Sequence, residues 1–328
     1  MALRRVLVVA VGLVALVAGV VTSLALGAIH VPFTEVIDAL LGRAPEGPEQ
    51  QIVMKLRLPR TVDAVLVGAA LGVAGALLQG ALANPLASPD VIGVTAGSGF
   101  GALLVLLAFP GSVALLPAGA LVFGLLAATL VFVVAWLGPD GGGVGRLILA
   151  GIAIAALFAA GSTGLMTLYP DRVQSAIFFL AGGLVSDGWD EMRVIWPYFA
   201  VGFVLALCLI RPLDRLALGD DVAASLGTRP RLIRLGAGAA SALLAAASAA
   251  VAGLLGFIGL VVPHVVRMAA GTASHGFVVP ASALAGASLL VAGDTLARTI
   301  KPPLELPVGP FMVLLGVPLF LWLLRKAV

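Results

Sequence analysis

Long apolar segments alternate with short polar stretches along almost the whole chain. Most of these segments run for about 20 residues, which is the length a helix needs to cross the hydrocarbon core of a bilayer. They cover approximately residues 6–29, 61–83, 91–109, 113–137, 147–169, 192–211, 232–255, 256–270, 277–297 and 306–324. The pattern predicts an all-α polytopic membrane protein with about ten transmembrane helices in a single domain, residues 1–328.

Three segments need separate interpretation. The first follows Arg4 and Arg5 and is too long for the apolar region of a signal peptide, so it is predicted to be an uncleaved first span. The segment at 256–270 is short, and only Gly253 and Gly256 divide it from its predecessor. Residues 174–185 are apolar but number only twelve, which predicts a partial or re-entrant helix.

Composition supports lipid as the solvent. Hydrophobic residues make up 61% of the chain, charged residues 11%, and the mean hydropathy is +1.16, which excludes an ordinary soluble domain. The basic residues flank apolar segments, so membrane topology explains them better than nucleic-acid binding. Ten spans place both termini on one side, and the positive-inside bias makes that side cytoplasmic. The single cysteine, Cys208, lies in an apolar run and is predicted to be a buried, inert thiol.

The chain lacks the groups that power transport or catalysis. No carboxylate pair lies mid-span, since Asp63 and Asp294 fall near the outer ends of their segments. No lysine occurs in a GxxxxGK[ST] phosphate-binding loop, and the three histidines have no metal-ligand spacing. We therefore predict no catalytic residue, metal or cofactor on this chain. A secondary transporter working alone is the alternative, and it would need a membrane-buried ion site.

Three further features carry structural predictions. Small residues recur at a spacing of four on two segments, at Gly68 and Gly72 and at Ser282 and Gly286, which favours close helix packing. The stretch 81–101 holds two prolines and several glycines, and is either a tight inner turn or a lining element of a path. Residues 212–231, between two prolines, contain a short amphipathic helix on the inner face. Such a helix contacts a partner or lies on the lipid headgroups.

Six blocks carry a resemblance to a known family. They are RLPR at 57–60, the glycine-rich run at 68–102, LALGDDVAASLG at 216–227, GFIGLVVPHVVR at 256–267, and the segments 280–298 and 305–324. In this order they resemble the permease subunit of the iron-siderophore, haem and vitamin B12 ATP-binding-cassette importers, the type II importer family. The resemblance implies a second permease (identical or different), two ATPase subunits that bind ATP and Mg, an external binding protein and a bacterial inner membrane.

The resemblance also implies residue roles. Three arginines at the outer face would dock the binding protein: Arg57, Arg60 and Arg298. The residues matched to the ATPase-coupling segment are Leu218, Gly219, Asp220, Asp221, Ala223, Leu226 and Gly227. The translocation path or gate would include Asn84, Pro85, Gly93, Val144 and Gly145, the last two in a glycine-rich loop at 141–145. His264 and Arg267 would have a structural or interface role. The block at 84–94 favours a ferric siderophore as cargo, with haem and cobalamin as alternatives.

Overall fold

The computed structural model describes residues 2–27, 29–43, 47–136, 144–184, 188–302 and 304–327. Within these ranges all regular secondary structure is helical. Seven helices are long and apolar enough to span a membrane, and three shorter apolar helices lie at the remaining predicted segments. The all-α membrane fold is therefore confirmed, whereas a count of ten crossings stays a prediction.

The helices follow one another with short connections. In chain order they are α1 (Ala2–Ala25), α2 (Phe33–Leu40), α3 (Pro48–Gln51), α4 (Leu58–Ala81), α5 (Val94–Leu103), α6 (Leu116–Trp136), α7 (Val144–Leu168), α8 (Val173–Ala181), α9 (Trp189–Leu216), α10 (Asp220–Ser225), α11 (Pro230–Ala252), α12 (Ile258–Ala270), α13 (His275–Thr299) and α14 (Val308–Ala327). A π-helical turn, Ile52–Arg57, joins α3 to α4, and another, Leu104–Ala108, extends α5.

Helix α4 lies at the centre of the molecule, with α9, α11, α12 and α13 packed around it. Glycines allow these neighbours to touch its backbone. A Cβ added at Gly68 would stand 2.3 Å from the carbonyl oxygen of Gly286, and one at Gly72 would stand 2.2 Å from that of Ser282. Real Cβ atoms do not approach other atoms that closely. The two small-residue rows predicted from the sequence therefore pack directly against each other.

The peripheral helices present apolar side chains outward, as a lipid-facing surface requires. Helix α1 exposes most of its length, and α9 exposes one side. Cys208 lies on this exposed part of α9 as a free thiol, so the prediction that it is buried is wrong. An apolar stretch of sequence has the same composition whether it faces lipid or the protein interior.

A break in the backbone separates α11 from α12. Gly253 and Phe257 both have positive φ, at 64° and 68°, so the chain turns sharply where the sequence showed only two glycines. The nine-residue helix α8, predicted as a partial helix, packs against this break. The amide of Gly183 donates to the carbonyl of Ala252 at 2.9 Å. This short helix closes one side of the broken segment.

One predicted boundary is misplaced. Pro212 was expected to begin the inner connection, but α9 continues through it to Leu216. The short inner helix is accordingly only α10, six residues long.

Candidate coupling and docking sites

The inner connection is shaped by two glycines that flank α10. Gly219 has φ 100° and Gly227 has φ 75°, a region that residues with a side chain rarely adopt. No atom lies within 4 Å of where a Cβ would stand at either glycine. The backbone angle, not lack of space, is therefore what requires glycine at these two positions.

Helix α10 is anchored to the rest of the chain by its first residue. The guanidinium of Arg234 donates two hydrogen bonds to the Asp220 carboxylate, each 2.8 Å long, and a third, from Nε, to the carbonyl of Ala81 at 3.1 Å. The hydrogen bonds from Arg234 lower the pKa of Asp220. One arginine thereby joins α10 to the inner end of α4.

The opposite side of this segment is apolar and exposed. Leu218, Val222 and Leu226 are 61%, 46% and 51% exposed, at a spacing of four residues. Leu218 lies just before α10, Val222 within it and Leu226 just after it, so the three exposed side chains follow one another along this segment, and we call them the exposed row. A row of large apolar side chains outside the spanning helices is the kind of surface that protein partners cover.

The predicted coupling residues therefore divide into two sets. Leu218 and Leu226 are exposed, and Asp221 is exposed beside them. Ala223 is fully buried against the chain itself, so its side chain cannot reach a partner as expected. Asp220 forms an ion pair with Arg234 of the same chain, instead of being left unpaired for a basic group of a partner. Val222 was not assigned to the site, although its spacing from Leu218 and Leu226 could have indicated it.

At the end of α4 that the sequence predicts to be outer, the structure brings together the three arginines predicted to dock a binding protein. Arg60 contacts the Asp294 carboxylate at 2.9 Å and Glu305 at 2.5 Å. Arg298 contacts the same Asp294 carboxylate at 3.1 Å. We call Arg57, Arg60, Arg298, Asp294 and Glu305 the outer cluster. Its two carboxylates were absent from the predicted site.

Two of the three arginines point inward. Arg57 donates to the carbonyl oxygens of Leu24 and Ala25, at 2.7 and 2.9 Å, and to that of Ile29. It therefore satisfies carbonyls that the C-terminus of α1 leaves without an intrahelical partner. Arg298 donates to the hydroxyl of Ser23 at 2.8 Å. Both side chains are buried, so the outer cluster presents chiefly the half-exposed Glu305 and the edge of Arg60.

The residues assigned to a path or gate lie in two places. Asn84 and Pro85 form the inner turn after α4, where the Asn84 side chain accepts a hydrogen bond from the Leu86 amide at 2.9 Å. Gly93, with φ 72°, starts α5 and is buried beside α7. The turn at 81–93 is therefore both a tight turn and a contact with α7.

The other two path residues begin α7. Val144 is the first residue of this helix, and Gly145 follows it. Val144 lines a cavity of about 230 Å³ together with Trp136, Asp220 and Arg234, which places it beside the anchor of α10. Residues 141–143 of the proposed gate loop lie outside the described residues.

Arg267 has the structural role expected of it. It donates to the side-chain oxygen of Gln79, whose amide nitrogen donates to the carbonyl of Leu260 at 3.0 Å. This chain of contacts fastens α12 to α4. Across the described ranges, no group of three or more histidine, cysteine or acidic residues could hold a metal ion.

A body of apolar helices packed around one central helix, with exposed apolar side chains on the peripheral helices, is the architecture of a type II importer permease. The chain belongs to the FecCD transport family, whose model matches residues 15–326. It is a multi-pass membrane protein of that family.

Relatives and a solved structure agree with this assignment. The chain is 38% identical over 309 residues to the Fe(3+)-citrate import system permease protein YfmE of Bacillus subtilis, covering 93% of this chain and 90% of the relative. It is 41% identical over 282 residues to the hemin transport system permease protein HmuU of Yersinia pestis, covering 84% and 83%. A metal-chelate type ABC transporter solved in an inward-facing conformation matches with a TM-score of 0.84 at 29% identity, over 98% of this chain and 99% of that one.

Proposed function

We propose that this chain is the permease subunit of an ATP-driven importer that carries a ferric siderophore across the inner membrane. The single observation that carries the coupling part of this proposal is the exposed row on the inner connection: Leu218, Val222 and Leu226. In an isolated chain these apolar side chains face water, which is unfavourable by about 1 kcal/mol or more for each. A groove on an ATPase subunit would cover them.

The partners follow from the same geometry. Since the described residues offer no phosphate-binding loop, ATP and Mg belong to two partner ATPase subunits, each seated on one copy of α10. A second permease, identical or different, completes the pathway. We further propose that both termini lie in the cytoplasm, and the basic residues that flank α10, Arg215 and Arg229, support this orientation.

The outer cluster is the proposed docking surface for the binding protein. Arg60 is the member best placed for contact, because it lies at the edge of the cluster and already forms two ion pairs. Carboxylates of the binding protein would compete with Glu305 for this guanidinium. Arg57 and Arg298 would act by holding the surface in shape.

The cargo proposal rests on family members with iron-chelate names and on the block at 84–94. YfmE is named for Fe(3+)-citrate and HmuU for hemin, at similar identity. Haem therefore remains the direct competitor, and cobalamin the next. Uptake of radiolabelled ferric siderophore, haem and cobalamin into vesicles containing the full complex discriminates among the three. Saturable uptake of haem alone would contradict the siderophore assignment.

Coupling is tested with Leu226→Asp. We expect this charge to abolish co-purification of the ATPase subunit and ATP-dependent uptake, because it places a carboxylate in the row that the ATPase would cover. Leu168→Asp is the matched control, since Leu168 is also exposed but lies at the far end of α7. Unchanged co-purification and uptake for Leu226→Asp would refute the coupling role. Gradient-driven flux through the isolated chain would support a secondary transporter instead.

A further inference from the structure

A groove that is open at the surface lies between α6 and α11, in the half of the molecule that contains α10. Its volume is about 500 Å³. It is lined by Thr129, Phe132, Val133, Trp136, Arg231, Leu235 and Ala239. The hydroxyl of Thr129 is already bonded to the carbonyl of Leu125 at 2.8 Å. Arg231 is the one charged side chain among these lining residues.

Arg231 is placed differently from its neighbour Arg234. Arg234 forms an ion pair with Asp220. Arg231, by contrast, has no carboxylate partner anywhere in the part of the chain that is described. Its guanidinium carbon stands 5.2 Å from the ring centroid of Trp136, over the last residue of α6. The ring restrains the arginine at the mouth of the groove and leaves its N–H groups available.

The two ends of the groove have different chemistry. A tryptophan and an arginine at the end of a spanning helix are typical of the level of the lipid headgroups. From Arg231 to Ala239 the groove follows about two turns of α11, roughly 12 Å at the helical rise per residue. That length corresponds to much of one leaflet's hydrocarbon thickness. The walls along it are the apolar side chains of Phe132, Val133 and Leu235.

We propose that this groove binds one anionic phospholipid of the inner leaflet. The lipid phosphate accepts hydrogen bonds from the Arg231 guanidinium, and an acyl chain lies along Phe132, Val133 and Leu235. The charge decides the lipid class. An unpaired cation at the headgroup level attracts a net negative lipid, whereas a zwitterionic lipid offers no net charge. This inference uses the inner orientation of α10 from the proposed function, but not the cargo or the ATPase contact.

The bound lipid would lie next to the coupling helix. Phe132 and Trp136 form a wall of this groove and also of the cavity that contains Asp220 and Arg234. An acyl chain that restrains these two rings supports the surroundings of the Arg234–Asp220 pair. Loss of the lipid is therefore expected to lower the thermal stability of the chain as well as the lipid count.

The test is native mass spectrometry of the purified full chain with equal amounts of dioleoyl phosphatidylglycerol and dioleoyl phosphatidylcholine. We expect one retained phosphatidylglycerol per chain. Arg231→Gln should reduce its retention by about fivefold, the effect of one arginine near an anionic surface. The matched control is Arg229→Gln, because Arg229 is an exposed arginine at the same helix end but outside the groove.

A second variant tests the groove apart from the charge. Ala239→Trp fills the far end of the groove and keeps Arg231, so it should also lose the lipid. Retention by Ala239→Trp, equal loss in Arg229→Gln, or equal retention of the two lipids would overturn the proposal. If Arg231→Gln keeps phosphatidylglycerol and instead loses the ATPase subunit, the groove mouth is a protein contact and the lipid site is wrong. The proposed function is judged separately, because its test reads ATPase binding and uptake in Leu226→Asp.

Discussion

Replacing Asp294 by alanine should destabilise the chain more than any other single change in the outer cluster. The Asp294 side chain is 2% exposed and is shared by two arginines, at 2.9 Å from Arg60 and 3.1 Å from Arg298. Its removal leaves Arg60 with Glu305, but leaves Arg298 without a carboxylate among the described residues. Arg298 then keeps its contacts with Ser23 alone.

The magnitude follows from burial. Breaking a buried ion pair by removing one partner costs about 3–5 kcal/mol, because the remaining charge is left desolvated. Arg60 retains a partner, so the cost belongs chiefly to Arg298 and we expect the lower end of that range, about 3 kcal/mol. Glu305→Ala is the matched control. Glu305 is 51% exposed, and an exposed pair contributes about 1 kcal/mol or less.

The assay is the midpoint of thermal unfolding in detergent, followed by intrinsic fluorescence. Asp294→Ala should lower the midpoint about three times as far as Glu305→Ala, in proportion to the two free energies. Adding Arg298→Met to Asp294→Ala removes the orphaned charge, so the double variant should recover part of the loss. Equal shifts for the two single variants would refute the assignment of Asp294 as the buried centre of the cluster. Failure of Arg298→Met to restore stability would refute the argument that Arg298 carries the cost.

Three further outcomes follow from particular contacts. Gly75→Val should destabilise the folded chain by more than about 3 kcal/mol, because a Cβ there would stand 1.8 Å from the carbonyl oxygen of Gly259. Gly164→Val is the control, since Gly164 lies in open space on α7. Similar unfolding midpoints for the two variants would contradict the packing. The pKa of Asp220 is lowered in the folded chain, so its contribution is present above its unfolded pKa and is lost as pH falls through the folded pKa. The rate of proteolysis of the inner connection should increase as the pH falls in the wild type and should not depend on pH in Asp220→Asn. Because Asp220 is half exposed, its pair with Arg234 stabilises the segment by about 0.5 kcal/mol or less. Arg57→Met should cost about 2 kcal/mol, measured by the same unfolding midpoint, because the carbonyl of Leu24 loses its donor whereas that of Ala25 still accepts from the amide of Val31 at 3.1 Å. A shift no larger than that of Glu305→Ala would show that the Leu24 carbonyl finds another donor.

Much of the fold could be predicted from the sequence, because its determinants are local. Apolar length indicates a span, and small residues four apart indicate a close contact, as Gly68 and Gly72 show against Gly286 and Ser282. The exposure of Cys208 could not be predicted in this way. Lipid and the protein interior are equally apolar, so hydropathy does not show which side of a helix faces lipid.

The sites were predicted less completely, because their partners are distant in the chain. RLPR indicated two arginines at the outer end of α4, but the groups that fix their direction lie elsewhere: Asp294 is 234 residues from Arg60, and Leu24 is 33 residues from Arg57. The same holds at the inner end, where Arg234 satisfies Asp220 from the next helix. Local sequence gives the level of a side chain in the membrane, and only the tertiary fold gives its partner.

The two candidate sites are joined by a single element. Helix α4 begins within three residues of Arg57 and Arg60 in the outer cluster, and it ends at Ala81, whose carbonyl oxygen accepts the hydrogen bond from Arg234 that also holds α10. Between these ends, the glycines of α4 contact the backbone of neighbouring helices directly, so no flexible side chain lies at these contacts to absorb a shift. A displacement of the outer cluster would therefore move α4 together with its packed neighbours and reach α10 through Arg234, because the glycine contacts oppose bending of α4 alone.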